Sequence, residues 1–263
     1  MYLNYLQIVN YKNLSAAKFS FVEGVNTIIG ENDSGKSNAM TALRILLDDT
    51  YYYNTKRLKE MDFSDSLSNW KGHWIILSAI FDKITSEDRE TEVCAEIIPE
   101  VENEDFLRTY IRSGKDNIGV ISLFIRPQKA IRKRLSEITD PDEFERERNK
   151  IKISDYEFYY TSRAQTDFTN EDIYKSIVGD IENGECTDPD EDDDEILGSK
   201  LNIADVQDHI SVVFIDALRD VASELNKPKN PIRRIIESVE SLIRDSEIET
   251  IRNEIVQLNK SIS

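Results

Sequence analysis

The chain has few of the residues that bind metals or cross-link proteins. Its 263 residues include two cysteines, Cys94 and Cys186, and two histidines, His73 and His209. The cysteines lie far apart and in no metal-ligand spacing, which indicates free thiols in a reducing compartment. Two histidines are too few for a histidine-based metal site, and we expect each to be a surface or strand-edge residue.

Long apolar runs and targeting signals are also missing. No stretch approaches the roughly 20 apolar residues that cross a bilayer. Residues 1–6 lack the basic start and the continuous apolar core of a signal peptide. The sequence therefore predicts a cytoplasmic protein with no membrane contact.

A balance of charge is also lacking, because 51 Asp and Glu residues outnumber 33 Lys and Arg residues and give a formal net charge of −18. Such a surface as a whole repels DNA, RNA and anionic lipid, but it does not exclude a local basic groove. The most basic stretch, residues 126–150, is interleaved with glutamates. That pattern favours a solvated helical face with i, i+4 ion pairs over a surface that tracks DNA.

One segment is extremely acidic. Residues 185–195 read Glu-Cys-Thr-Asp-Pro-Asp-Glu-Asp-Asp-Asp-Glu, with no apolar face and a proline that interrupts any helix. The repulsion between its carboxylates predicts a mobile surface loop over residues 182–199. The run fits no EF-hand register, which disfavours a calcium site.

What the chain does contain is a complete phosphate-binding loop. Residues 30–37 read Gly-Glu-Asn-Asp-Ser-Gly-Lys-Ser and match G-x-x-x-x-G-K-[ST], the Walker A pattern. Gly30 and Gly35 let the backbone turn its N–H groups toward phosphate oxygens. Lys36 adds a positive charge, and the Ser37 hydroxyl can ligate Mg²⁺. The sequence therefore predicts a nucleoside triphosphate site.

The flanks of this loop have the expected order. The apolar run 25–29 predicts a buried strand, and residues 38–47 predict a helix that places the positive end of its dipole under the phosphates. Met40, Leu43, Leu46 and Leu47 are expected on one face of that helix. Further strands are predicted at residues 3–9, 17–22, 74–81, 92–98, 119–125 and 158–160. Together these elements predict an antiparallel sheet appended to an α/β nucleotide-binding core.

The C-terminal third contains one strand pattern and then two helical patterns. Residues 209–215 predict a buried strand that ends at Asp216, but Ala217 occupies the place of a second carboxylate. This favours an ordinary core strand over a Walker B strand. No Leu-Ser-Gly-Gly-like segment occurs, and Asn226-Lys-Pro-Lys229 lacks the aspartate that reads guanine. Apolar stripes over 232–243 and 248–258 predict a helical hairpin or a dimer contact.

Several segments together resemble a known family. The order of strand, Asn10-Tyr-Lys-Asn-Leu14, strand, phosphate loop, Asn38 and helix resembles the first lobe of RecF/SMC/Rad50 ABC-type ATPases. Within that group, Phe214-Ile-Asp-Ala-Leu-Arg-Asp220 resembles most the OLD (overcoming lysogenization defect) family, which includes the nuclease subunit of Gabija anti-phage systems. The resemblance implies an α/β, P-loop ABC-type ATPase lobe with a mixed sheet over 1–225. The start of a helical dimerisation segment would follow over 226–263.

The resemblance also implies a set of site residues. Ser37 would bind Mg²⁺, and either Gln165 or Gln128 is a candidate for the glutamine that senses the γ-phosphate. Arg219 is expected near the nucleotide edge or a lobe contact. The residues implied to contact ATP are Lys12, Asn13, Gly30, Glu31, Asn32, Asp33, Ser34, Gly35, Lys36, Ser37 and Asn38.

The function implied is that of the ATP-binding N-terminal part of an OLD-type, nucleotide-regulated DNA endonuclease in anti-phage defence. Family members continue into a second lobe with signature and Walker B, and then into a Toprim nuclease domain. Since this chain ends at Ser263 within a predicted helix, we expect either an N-terminal part of a longer protein or a chain whose remaining parts come from a partner. In both cases no catalytic residue is expected here, and the isolated chain is expected to be inactive. The implied partners are DNA, further copies in a dimer or higher oligomer, and a helicase.

Two alternatives remain open at this point. One is a RecF- or SMC-like ATPase for DNA repair or regulation that carries no nuclease. The other is a small P-loop kinase, which predicts phosphotransfer by this chain alone.

Overall fold

The computed structural model describes residues 1–48, 57–84, 118–189 and 196–204, and the single residues 51, 210, 212 and 214. The chain divides into two compact units, Met1–Ile210 and Ser211–Ser263. Several predictions fall outside the described residues: the strand at 92–98, the acidic residues 190–195, Arg219 and both C-terminal helices. They stay predictions.

A six-stranded sheet forms the centre of the first unit, in the order β2-β1-β3-β4-β5-β6 with every neighbouring pair antiparallel. The strands are β1 (Tyr2–Tyr11), β2 (Leu14–Ser20), β3 (Ile75–Asp82), β4 (Gly119–Pro127), β5 (Tyr156–Ser162) and β6 (Ser199–Lys200). Predictions at 3–9, 17–22, 74–81, 119–125 and 158–160 correspond to β1 to β5. Strand ends differ by up to three residues.

The strand register places similar side chains next to one another in rows across the sheet. Ile8, Leu77, Leu123 and Tyr160 follow one another across four strands on one face. On the other face, one neighbouring row is polar, with Gln7, Ser78, Ser122 and Thr161, and the next is apolar, with Val9, Ile76, Phe124 and Tyr159. In the polar row the Ser78 and Ser122 hydroxyls lie 2.8 Å apart, buried. This pairing satisfies hydroxyl groups that would otherwise be costly to bury.

Helices cover both faces. They are α1 (Lys36–Leu47), α2 (Lys129–Ser136), α3 (Pro141–Arg148) and α4 (Glu171–Val178), with 3₁₀ turns at Glu60–Asp62, Ile153–Asp155 and Ile181–Asn183. The Tyr160 hydroxyl donates to the Ile45 carbonyl at 3.4 Å, which places α1 on the Ile8 face. On the opposite face, the Gln7 side-chain oxygen accepts from the Phe168 N–H at 3.1 Å. The α/β fold-class prediction is confirmed.

The basic stretch 126–150 differs from its prediction. Arg126, Arg132 and Arg148 are buried rather than solvated, with 0%, 0% and 2% of their surface exposed. Arg126 Nε and Arg132 Nη1 both donate to Glu157 Oε1, at 2.9 and 3.0 Å. Burying three guanidinium groups requires such partners, and sequence spacing did not reveal these because they come from other elements. Only the outer part of the stretch, such as Lys150 beside Glu147, has the predicted exposed pairs.

One apolar prediction near the phosphate loop is wrong. Residues 25–29 do not form a strand, and Val25 and Ile29 are 94% and 88% exposed. An extended segment becomes a strand only when a neighbour pairs with its backbone, and the described part of the chain offers this segment none. On α1 the buried residues are Ala39, Ala42, Ile45, Leu46 and Leu47, whereas Met40 is 37% exposed.

Residues on both sides of the acidic residues 190–195 form hydrogen bonds with the rest of the first unit. Asp188 accepts from Arg132 Nε at 3.0 Å, and the Leu197 carbonyl accepts from the Thr161 hydroxyl. Within the described ranges, no helix is long and apolar enough to span a bilayer. The same residues contain no group of three His, Cys, Asp or Glu side chains arranged to hold a metal.

Candidate nucleotide-binding site

The phosphate loop joins the extended segment before it to the N-terminus of α1. Gly35 caps α1 with a φ of 90°, and Asp33, two residues earlier, has a φ of 64°. The Ser34 N–H donates to the Glu31 carbonyl at 3.3 Å, which closes the turn. These left-handed positions reverse the chain so that the first N–H groups of α1 face the concave side of the loop.

Space favours glycine at both positions of the motif, and at Gly35 the positive φ favours it as well. A Cβ on Gly35 would lie 2.7 Å from Leu14 Cδ2, and one on Gly30 would lie 2.7 Å from the Ser34 hydroxyl. Atoms cannot approach so closely without a shift of the loop. The two glycines therefore let the loop close on itself and on the β1–β2 hairpin.

Lys36 is folded over the loop. Its Nζ donates to the Gly30 carbonyl at 2.6 Å and to the Glu31 carbonyl, and it lies 3.3 Å from the Ser34 hydroxyl. The ammonium is therefore held above the loop centre, where a phosphate group cradled by the backbone would meet it.

The field at this helix end favours an anion. The first turn of α1 carries no acidic side chain, so the partial positive charge of the helix N-terminus is not neutralised within the helix. Ser37 is exposed, and its carbonyl accepts from the Thr41 hydroxyl at 2.7 Å. Its position suits a Mg²⁺ ligand beside bound phosphates, as the sequence predicts.

The β1–β2 turn clamps the loop from the side. Asn13 Nδ2 donates to the Asp33 carbonyl at 2.6 Å, and Asn13 Oδ1 accepts from Asn38 Nδ2 at 2.8 Å. Lys12 has a φ of 52°, and its N–H donates to the Asp62 carbonyl at 2.9 Å. The structure thus brings Asn13 and Asn38 to the loop and places Lys12 in the adjoining β1–β2 turn, while direct contact of these residues with a nucleotide stays a prediction.

The remaining predicted residues divide into three groups. Glu31 and Asn32 are exposed on the loop. Gln165 is buried at 7% exposure, whereas Gln128 is exposed at the N-cap of α2. Arg219 lies outside the described residues. Neither glutamine is assigned to the γ-phosphate by this geometry.

Sequence reasoning missed a second polar centre away from the loop. His73, predicted at the surface or a strand edge, is only 5% exposed and lies 3.1 Å from the Tyr174 hydroxyl and 2.9 Å from Glu182 Oε1. These partners are 101 and 109 residues away in sequence. No local pattern could have indicated such a cluster, because only the folded sheet brings the three segments together.

Comparison with known proteins supports the reading of the loop. The model of the family described as "AAA ATPase domain" matches residues 1–262. The DNA replication and repair protein RecF of Caldanaerobacter subterraneus subsp. tengcongensis is 34% identical over 79 residues, which cover 24% of this chain and 22% of RecF. RecF of Geobacillus kaustophilus is 46% identical over 46 residues, which cover 18% of this chain and 12% of RecF. The matches thus span less than a quarter of these relatives.

A solved structure from work on ATP-driven dimerization and DNA-stimulated activation of SMC ATPases is also similar. It aligns with 91% of this chain and 99% of its own, at 12% sequence identity and a TM-score of 0.42. A similarity at this level carries no argument about function.

Proposed function

Because the chain belongs to the AAA ATPase domain family, we propose that it binds ATP and Mg²⁺ at residues 30–38 as the nucleotide-binding lobe of a RecF/SMC-type ATPase that works on DNA. The observation that carries this proposal is the loop geometry. Gly35 caps α1 in a left-handed conformation, and Lys36 lies over the loop centre. Backbone donors, an ammonium and a helix N-terminus then converge on one anion-sized position.

The apolar surface beside the loop supports a role within a larger ATPase. Val22, Val25 and Ile29 are 64%, 94% and 88% exposed. The strand that enters a phosphate loop in an α/β fold is normally buried on both faces. We infer that further strands cover this segment in the complete ATPase core, and that the groups which hydrolyse ATP come with them.

Nucleotide binding is tested by titrating the chain with a fluorescent ATP analogue. Lys36→Ala removes the ammonium, and we expect at least a tenfold loss of affinity, about 1.4 kcal/mol. Lys150→Ala is the matched control, because Lys150 is an exposed lysine whose partner is Glu147. Equal affinity in the two variants would refute the assignment of Lys36.

The metal role of Ser37 has its own test. In the unmodified chain, Mg²⁺ should tighten binding of the analogue relative to EDTA, because the metal bridges the hydroxyl and the phosphates. Ser37→Ala should reduce this ratio while leaving the affinity in EDTA nearly unchanged. If Ser37→Ala leaves the ratio of affinities in Mg²⁺ and EDTA unchanged, Ser37 is not a ligand of the metal.

The finer proposal is an OLD-type, nucleotide-regulated DNA endonuclease in anti-phage defence. Its support is the order of motifs from Asn10 to Asp220 that resembles this family. In this proposal the protein forms a dimer or higher oligomer, a helicase is its partner in a Gabija-like system, and ATP occupancy controls a nuclease outside these residues. The cellular location proposed is the cytoplasm.

This finer proposal is tested on the full-length protein by a gel assay for cleavage of phage DNA. Cleavage should depend on ATP concentration, and Lys36→Ala should abolish that dependence. DNA that remains intact in every condition would favour the alternative, a RecF-like ATPase without a nuclease. The 34% identity to RecF over 79 residues supports that alternative.

A further inference from the structure

A cavity of about 520 Å³ lies between the β1–β2 hairpin and α4. This volume is within the range of small-molecule sites, roughly 300–1,000 Å³. Its wall includes five apolar side chains, Val9, Ala16, Leu67, Phe168 and Ile181. Val9 pairs with Ala16 in the sheet, so both lie on the face opposite the one that packs against α1. The cavity is therefore distinct from the phosphate loop.

The polar floor of the cavity is a fixed network. Burial lowers the pKa of His73, although Glu182 acts in the other direction, so the ring is neutral at pH 7. The imidazole then donates from Nε2 to the Glu182 carboxylate, and Nδ1 accepts from the Tyr174 hydroxyl. Tyr174 in turn accepts from the Trp74 N–H at 3.1 Å. With His73 neutral, none of the three side chains His73, Tyr174 and Glu182 presents a positive charge to a ligand in the cavity.

Acceptors outnumber donors among the charged groups of the lining. Glu171, Asp180 and Glu182 contribute three carboxylates, and Lys175 contributes the one ammonium, which pairs with Glu171 and Asp180 at 3.0 and 3.3 Å. Burial raises the pKa of Glu182, but hydrogen bonds from Ser68, His73 and Arg148 outweigh it and lower that pKa to about 2. The lowered pKa values of Asp180 and Glu182 keep these two carboxylates negative at pH 7. A carboxylate has about four lone-pair sites, so it can accept bonds beyond those from Lys175, Ser68, His73 and Arg148.

We propose that this cavity binds a small organic cation, an alkyl amine or guanidine, and that its occupancy alters nucleotide affinity at the phosphate loop. The apolar wall receives the alkyl part, and the carboxylates receive the N–H donors. Either a free amine or the side chain of a lysine or arginine in a peptide has this chemistry. The effect on nucleotide affinity rests on the proposed ATP site.

The β1–β2 hairpin connects the two sites. Asn10 and Ser15 line the cavity, while Asn13, between them, holds the Asp33 carbonyl and the Asn38 amide. A ligand that shifts the hairpin therefore changes the clamp on the phosphate loop. By linkage, ATP must then change the affinity for the cation by the same factor.

Binding is measured by calorimetry with agmatine and spermidine as free amines and with an arginine-containing tripeptide, against NaCl at equal ionic strength. We expect saturable binding of a free amine with a Kd below about 1 mM, roughly 4 kcal/mol. Tighter binding of the tripeptide than of both amines would assign the site to a peptide side chain. Heats that match the NaCl blank for all three probes would overturn the proposal.

The location is tested by filling the cavity. Ala16→Trp should weaken cation binding at least tenfold, whereas Ala17→Trp should not, because Ala17 pairs with Ile8 on the opposite face. Leu67→Trp fills the cavity from the other wall and serves the same purpose if Ala16→Trp fails to fold, as judged by circular dichroism. Cation binding that survives both filled variants would refute this site.

The coupling is tested by titrating the ATP analogue with and without the cation. We expect at least a threefold change in affinity in the unmodified chain. An unchanged nucleotide affinity with the cation bound would overturn the coupling. Lys36→Ala separates the two proposals, because it should remove nucleotide binding and leave cation binding intact.

Discussion

The side-chain amide of Asn13 donates to the main-chain carbonyl of Asp33 at a distance of 2.6 Å. Asp33 has a φ of 64°, a conformation that L residues adopt rarely, and it sits in the centre of the phosphate loop. The same amide accepts from Asn38 in the first turn of α1. One side chain from the β1–β2 turn therefore holds both the strained position and the helix that follows it.

Asn13→Ala tests this clamp. The substitution removes two hydrogen bonds that are exposed to solvent, each worth about 0.5–1.5 kcal/mol. We expect nucleotide affinity to fall about three- to tenfold, with little change in thermal stability, measured by analogue titration and circular dichroism. Asn149→Ala is the control, since the amide of Asn149 donates to the Glu145 carbonyl at 2.8 Å on α3. If the hydrogen bonds of Asn13 do not contribute to the site, Asn13→Ala and Asn149→Ala will bind the ATP analogue with equal affinity.

Gly35→Ala and Gly24→Ala separate crowding from backbone strain. Both glycines have a positive φ, 90° and 94°, so alanine should cost about 1–2 kcal/mol at either position. A Cβ at Gly24 meets nothing within 4 Å, whereas one at Gly35 lies 2.7 Å from Leu14. We expect Gly24→Ala to lower only the Tm. Gly35→Ala should lower the Tm further and abolish binding of the analogue.

If Gly35→Ala bound the analogue as tightly as Gly24→Ala, contact between the loop and the hairpin would have no role in forming the site. Melting curves of the two variants, recorded in the same buffer, give the strain common to both. The difference between them then measures the cost of displacing Leu14.

The local parts of this site could be predicted from sequence, and the reason is physical. The spacing of Gly30, Gly35 and Lys36 within eight residues defines both the backbone reversal and the charge. The conformation of the segment that precedes them could not be predicted, because a segment becomes a strand only when partners elsewhere in the fold pair with it. Val25 has the composition of a buried strand residue but is 94% exposed. Apolar composition indicates that a residue can be buried, and only the neighbours decide whether it is.

The burial of Arg126 and Arg132 could not be predicted from the sequence either. Arg126 and Arg132 lie in a stretch whose composition indicates a solvated face, and Glu157, which accepts from both, comes from β5. Arg126 also stacks 3.9 Å from the ring centroid of Tyr159. Guanidinium groups tolerate burial when such planar and anionic partners surround them. Those partners are set by strand register, which spacing along the chain does not reveal.

Glu157→Gln tests whether this cluster stabilises the fold. The glutamine oxygen can still accept a hydrogen bond, but the substitution removes the negative charge that Arg126 and Arg132 share. We expect a loss of about 2–4 kcal/mol in the free energy of unfolding, measured by urea denaturation. Glu171→Gln is the control, because its pair with Lys175 is exposed and such pairs contribute about 0–1 kcal/mol. Equal losses in both variants would mean that the buried pairs contribute no more than an exposed one.

The buried His73 predicts how stability depends on pH. Burial lowers its pKa in the folded chain below the ordinary value of 6.5, while the unfolded chain keeps the ordinary value. Below pH 6.5 the unfolded state therefore binds a proton that the folded state resists, and stability falls as pH falls. Between pH 7.5 and 5, the urea midpoint should decrease. The contribution of Glu182, whose folded pKa is about 2, is lost only below about pH 4.5 and does not interfere.

His73→Gln isolates this effect because glutamine can donate to Glu182 but does not titrate. We expect the variant to be less stable than the unmodified chain at pH 7.5 but to lose less of its stability between pH 7.5 and 5. The charged groups that face His73 are Glu182, Arg148 and Asp180, and the lowered pKa values of Glu182 and Asp180 keep both carboxylates ionised in this range. A pH dependence identical in the His73 variant and the unmodified chain would show that protonation of this ring is not linked to unfolding.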